Sequence, residues 1–541
     1  MSTTGRHGTA EHPTDATSAS TTDTELTDFR AATAAEWREA FLTGDVSAVE
    51  LTTSALTAQA VSASLGAFLH VDADLALARA AELDQVREAV LDGVPDASRA
   101  SRLSDLSARD PLLGLPTAFK DLVDVAGMPT TLGTAALDAA VPPRDADLAR
   151  RVHRAGTVSI GKTQVPEFGL PCYSENDLGA PSRNPLDPAR TSGGSTGGGA
   201  AAVAAGILPL APGNDGGGSV RIPAAACGLV GLKPGRGRMP DDPREDRVTN
   251  LAVSGPIART AEDAALLFDV MAGARFTVPG VGGPDGGSDG GRRRRRAGRG
   301  RRRGTDDDGA DVALAEGPAM RAVRRALAEG LAPLQVGVVT ESPFSPELDI
   351  LPDEEAIRAL EAGVAGLAGR GHAVQGTEHC TGGDRFWPSG YHEDFRTLWT
   401  SRLAGLELED DARERLRPLT RHFLELAADR TAEQTRRSVT AMQRLADDAE
   451  AMLGPWDVLM TPMLGLRPPE VGWFAGLDPA EDYVQQCRFT PWSSVVNVMG
   501  LPAINVPVHA DAEGMSWSVQ LIGRRGSEEQ LLALGATLQQ D

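Results

Sequence analysis

The chain has 541 residues with 53 basic and 75 acidic side chains, giving a formal net charge of −22. A balance this acidic repels phosphate backbones and anionic membranes and so argues against a general nucleic-acid role. The 41% hydrophobic and 24% charged content is that of a folded globular protein, not a disordered or fibrous one.

Residues 1–25 read as a disordered tail, with almost no large apolar groups to offset the entropy of ordering. The tail also lacks the apolar core of a signal peptide, and no later stretch approaches the roughly 18 consecutive apolar residues of a membrane helix. A cytoplasmic location is therefore expected. Composition predicts helix over most of residues 26–91, strongest at 31–37 and 75–82. Residues 97–110, rich in Ser, Asp and Arg, read as a surface loop. Between 111 and 274, short apolar runs alternate with helical stretches: 157–160 and 207–210 suit strands, 145–155 and 198–205 suit helices. That alternation predicts a layered α/β architecture.

Residues 276–312 interrupt the pattern, and nine of the twelve residues at 292–303 are Arg. A nucleic-acid patch is one reading, but nothing nearby supplies stacking aromatics. A disordered, self-repelling insertion is expected instead. Beyond it, 334–339 and 456–460 read as strands, and 354–370 and 407–452 as helical. Residues 503–508 pair with 517–522 through a turn at 511–514. The four cysteines, Cys172, Cys227, Cys380 and Cys487, lie far apart without a C-x-x-C pair and read as reduced core residues.

Three segments carry chemistry. In Asp215-Gly216-Gly217-Gly218-Ser219, consecutive glycines let the backbone fold closely around a ligand with N–H groups turned inward. Such a nest suits a developing oxyanion, and a Ser at its edge could attack a carbonyl; alone, a Gly-rich turn capping a helix explains it as well. Gly193-Gly194-Ser195-Thr196-Gly197 matches the letters of a nucleophile elbow, yet residues 184–191 hold two prolines and no apolar run to feed one. The run 156–163 matches a phosphate-loop pattern, but its intervening residues are strand-like and Pro166, Gly169 and Pro171 oppose the required helix.

A base for Ser219 is not supplied by a nearby His; the closest in sequence is His153. Lys120 ends a mostly apolar run from 112 to 119 and could be held desolvated. Neutralising an ordinary lysine at pH 7 costs roughly 4–5 kcal/mol, which burial and a nearby positive field would reduce. An ion pair with the adjacent Asp121 is the plainer alternative. Trp387, Tyr391, Phe395 and Trp399 have helical spacing and suit either core or pocket.

Taken together, these segments resemble the amidase-signature family of serine amidohydrolases, over nearly the whole chain, with residues 455–523 similar to general bacterial amidases and 6-aminohexanoate cyclic dimer hydrolases. The resemblance implies an α/β/α sandwich around a large mixed, mostly parallel sheet, in one domain spanning 26–541. It implies a relay in which unprotonated Lys120 draws a proton from Ser195, preceded by a cis peptide, and Ser195 draws one from the nucleophile Ser219. Backbone N–H groups of Gly216, Gly217, Gly218 and Ser219 would form the oxyanion hole, with Asp215 and Arg221 bracing the loop. Thr196 replaces the family's usual second Ser, and Gly216 stands where a larger apolar residue is common. No metal or organic cofactor is expected, and the partner is a small-molecule amide, with a homodimer allowed for. The rival readings are the A subunit of a tRNA-dependent amidotransferase and a non-enzymatic binder on the same fold.

Overall fold

In the computed structural model the described residues are 27–240, 242, 247–279, 312–377 and 386–540. The expected tail at 1–25, nearly all of the Arg-rich insertion, and Cys380 lie outside them. Thirteen strands occur among the described residues: β1 (Phe68–Val71), β2 (Pro116–Lys120), β3 (Val158–Thr163), β4 (Arg183–Asn184), β5 (Asp187–Thr191), β6 (Leu210–Asp215), β7 (Val230–Lys233), β8 (Val253–Ala258), β9 (Gln335–Val338), β10 (Ala373–Gly376), β11 (Val458–Pro462), β12 (Ala503–Ala510) and β13 (Ser516–Gly523).

Eight of these strands form the main sheet, in the order β10-β9-β11-β13-β12-β7-β8-β6. It is mixed, as expected, but its ladders are mainly antiparallel: β10–β9 and β9–β11 run parallel and the other five pairs antiparallel. The hairpin β12–β13 is one reason. Its turn closes through Gly514 N donating to Asp511 O at 3.0 Å, so the two longest strands lie antiparallel at the centre.

Side-chain alternation divides this sheet between two cores. Met460, Ile504, Val506, Val519 and Leu521 join the cluster under the helices Ala261–Met271 and Glu528–Leu538. Leu459, Ala503 and Ile522 join the opposite cluster with Val495, Tyr391, Phe395 and Trp399. Gln520, one residue from Leu521, consequently points to this second side, where the candidate site lies. A three-stranded sheet, β1-β3-β2, carries Lys120 at the end of a strand buried along its whole length.

Several elements depart from expectation. Residues 96–109 are a helix, Asp96–Arg109, because Leu103, Leu106 and Ser107 share one buried face despite the polar composition. The strand β1 interrupts the region expected to be helical. The first helix starts at Ala34, not 31, where Thr33 and Glu36 form a reciprocal capping box. Strand β6 starts only at Leu210: Ile207 and Leu208 still donate to Ala202 O, and Pro209 has no N–H to give. A strand, β5, does precede Ser195, but it belongs to a two-stranded ribbon with β4 outside the main sheet. The phosphate-loop look-alike is strand β3, and its Lys162 is buried against Asp121 at 2.8 Å.

Candidate active site

Lys120 and Asp121 are neighbours on a pleated strand end, so their side chains go to opposite sides. Asp121 faces Lys162 and accepts from Thr131 N at 2.9 Å, which leaves Lys120 without that carboxylate. The Lys120 side chain is 1% exposed, and its Nζ lies 3.1 Å from Ser195 Oγ and 3.2 Å from the Asn214 carbonyl oxygen near the end of β6. Burial lowers its pKa from 10.5 to about 7; the carboxylate of Asp215 opposes the shift and the guanidinium of Arg402 adds to it. A lysine in this state is a base near neutrality.

Ser195 is 2% exposed, and the Gly194–Ser195 peptide is cis. A side chain at Gly194 would meet Tyr173 N at 2.8 Å, so only glycine allows this close approach. Thr196 follows, its N–H donating to Ser219 O at 3.1 Å, which ties the two serine segments together. The Thr196 hydroxyl forms no hydrogen bond among the described residues: that oxygen is buried without a partner, and the methyl packs towards Gly213 and Gly199.

The glycine loop is anchored by a buried ion pair. Arg221 and Asp215 are both 0% exposed and meet in a fork, Nη2–Oδ1 and Nε–Oδ2 each at 2.9 Å. Burial alone would raise the Asp215 pKa, but Arg221 and the bonds from Asn497 outweigh it and hold the carboxyl far below its usual range. Asn497 also donates to Asp215 O at 2.7 Å and accepts from Arg221 Nη2 at 2.6 Å, while Gln520 Oε1 accepts from Arg221 Nη1 at 2.5 Å. Sequence reasoning named Asp215 and Arg221 but missed Asn497 and Gln520, nearly 300 residues away. The only signal was that both sit in the closing segments that resemble the family.

Within the loop, Gly218 N donates to Asp215 Oδ1 at 2.7 Å and Ser493 Oγ donates to Gly217 O at 2.7 Å, so the peptide between 217 and 218 is held at both ends. Gly218 has φ +122°, and a Cβ there would stand 2.5 Å from Ile222 Cδ1. The four-donor expectation is thereby narrowed: the Gly218 N–H is committed to Asp215. Those of Gly216, Gly217 and Ser219 have no acceptor among the described residues.

Ser219, 8% exposed, opens onto a narrow cavity of about 50 Å³ that it shares with Gly194 and Gly217. Its walls are largely apolar, including Leu170, Ile222, Phe344, Phe395 and Trp399. The helically spaced aromatics thus split. Phe395 and Trp399 line the cavity, while Trp387 donates to Glu341 O at 2.8 Å and Tyr391 hydrogen-bonds Ser494 Oγ at 2.9 Å from within the core. Among the described residues no histidine lines the cavity; His153 pairs instead with Asp145 at 2.8 Å. Among the described residues no group of three His, Cys, Asp or Glu side chains could hold a metal ion, and no helix is long and apolar enough to cross a membrane. Cys172, Cys227 and Cys487 are buried and unpaired.

Comparison with known proteins bears directly on this arrangement. A model of the amidase family matches residues 96–277 and 305–532. The "Putative amidase AmiB2" of Mycobacterium tuberculosis is 32% identical over 473 residues, covering 87% of this chain and 89% of that one. The A subunit of the glutamyl-tRNA(Gln) amidotransferase of a Synechococcus strain is 30% identical, covering 94% and 96%. Among solved structures, a 6-aminohexanoate cyclic dimer hydrolase complexed with substrate superposes with a TM-score of 0.72 at 26% identity, covering 94% of this chain and 96% of the other. The chain belongs to the amidase, or amidase-signature, family of amidohydrolases.

Proposed function

We propose that this protein hydrolyses carboxylic amides to acid and amine through an acyl-enzyme on Ser219. The observation that carries the reading is the Lys120–Ser195 hydrogen bond, made by a lysine with a pKa near 7, behind the cavity that Ser219 lines. Lys120 enters the cycle uncharged and accepts the Ser195 hydroxyl proton; Ser195 in turn takes the proton of Ser219 as its oxygen adds to the amide carbonyl. The carbonyl oxygen gains the negative charge, and the N–H groups of Gly216, Gly217 and Ser219 are the donors free to receive it. Collapse of this intermediate breaks the C–N bond, and the departing nitrogen takes a proton from Ser195, which recovers one from Lys120. Water then adds to the Ser219 ester by the same route in reverse, releasing the acid.

Apolar walls beside Ser219 favour small linear amides with an apolar portion. The resemblance to an amidotransferase component keeps glutaminase action within a complex as the rival. Labelling with a fluorophosphonate tests the proposal: the wild-type protein should carry one adduct on Ser219, and Ser219→Ala should lose both the adduct and amine release from an amide panel. An adduct on another residue, or turnover surviving in Ser219→Ala, would overturn it.

A further inference from the structure

Among the described residues, four arginines of this region are engaged. Arg221 is held by Asp215, Arg236 by the carbonyls of Asn497 and Val498, Arg396 by Glu393, and Arg430 by Thr400. Arg402, just past the helix Tyr391–Ser401, has no acidic or hydrogen-bonding partner among the described residues. Its guanidinium carbon lies 4.6 Å from the ring centroid of Trp399. The far edge of that same indole stands 3.6 Å from where a Cβ on Gly216 or Gly217 would be, and the indole forms part of the cavity wall. A planar cation therefore lies one aromatic ring away from the glycine loop, on a residue exposed as a whole but with surroundings that lower the guanidinium's pKa by desolvation.

The contact with the Trp399 ring is a cation–π one, and the forked N–H edge of the guanidinium has no acceptor among the described residues. That edge is the geometry that grips a carboxylate with two parallel hydrogen bonds. A chain of net charge −22 does not attract anions in general, so a guanidinium packed on the cavity-wall residue Trp399 favours an anion that also fits the cavity. We propose that Arg402 binds a carboxylate carried by the substrate, so that the preferred substrates are amides with a free carboxylate on their acyl or amine portion. This rests on the amidase reading with Ser219 as nucleophile and names the substrate class for that site.

Two matched fluorophosphonates, one ending in a carboxylate and one in a methyl group, read this out as rates of Ser219 labelling, independently of any particular amide. The carboxylate probe should gain about 10- to 100-fold over the methyl probe in the wild type, the range of a hydrogen bond to a charged group. Arg402→Met should erase that gain while leaving methyl-probe labelling on the high-pH plateau within about twofold, and Arg402→Lys should restore part of it. The same ratio in wild type and Arg402→Met would overturn the inference while leaving the amidase reading intact. Failure of both probes to label Ser219 would overturn the two together. Monoamides of dicarboxylic acids and N-acyl ω-amino acids, each against a neutral isostere, then tell which side of the amide carries the charge.

Discussion

Replacing Lys120 by Met should abolish amide turnover and yet stabilise the protein, by an amount that depends on pH. Burial lowers the lysine pKa from 10.5 to about 7, so the unfolded chain binds more protons than the folded one between those values, and stability contributed by this group rises with pH across that window. At pH 7 the wild-type lysine costs the folded state about 4 kcal/mol, and at pH 9.5 about 1 kcal/mol, at roughly 1.4 kcal/mol per pH unit. Methionine removes the whole cost. It also leaves Ser195 Oγ and Asn214 O without their Nζ partner and changes the packing, but these terms do not vary with pH. The stability difference between Lys120→Met and wild type should therefore fall by about 3 kcal/mol from pH 7 to pH 9.5. Every other titrating group is shared and cancels. Urea unfolding of both proteins at the two pH values measures it. A difference that stays constant with pH would refute the claim that this lysine is held uncharged, whatever the effect on activity.

The remaining expectations concern the relay, its anchor and the insertion. Lys120→Ala should depress amide hydrolysis more than hydrolysis of the matching ester, because an amine needs protonation to leave and an alkoxide needs it less; equal loss on both substrates would count against proton return through Ser195. Asp215→Asn should destabilise the fold by about 3–5 kcal/mol in urea unfolding, since Arg221 would remain fully buried without its counter-charge; a change under about 1 kcal/mol would show that Asn497 and Gln520 suffice. Deleting residues 282–308 should leave most activity in place. The flanking chain is already closed by Thr277 N–Glu316 O and Glu316 N–Thr277 O hydrogen bonds, each 3.0 Å, and loss of activity in the shortened protein would contradict this.

Much of this protein is written locally. Three glycines before Ser219, a lysine ending an apolar run, and short apolar runs at 458–460, 503–506 and 519–522 each point to a turn, a desolvated amine or a strand without reference to distant residues. What pairs with what is a different matter. Whether Lys120 meets Asp121 or Ser195 depends on which face of the strand end each side chain takes and on what packs there, and it was the fold that sent Asp121 to Lys162. Likewise the polar stretch 96–109 is a helix only because a core exists for Leu103 and Leu106 to enter, and Trp399 lines the cavity while Tyr391, two turns earlier on the same helix, lies in the core. Asn497 and Gln520 hold Arg221 across some 300 residues of chain. Side-chain chemistry and short-range spacing are properties of adjacent residues and survive in the sequence. Burial, counter-charges and free donors arise only when distant segments exclude water together, and so they belong to the tertiary structure alone.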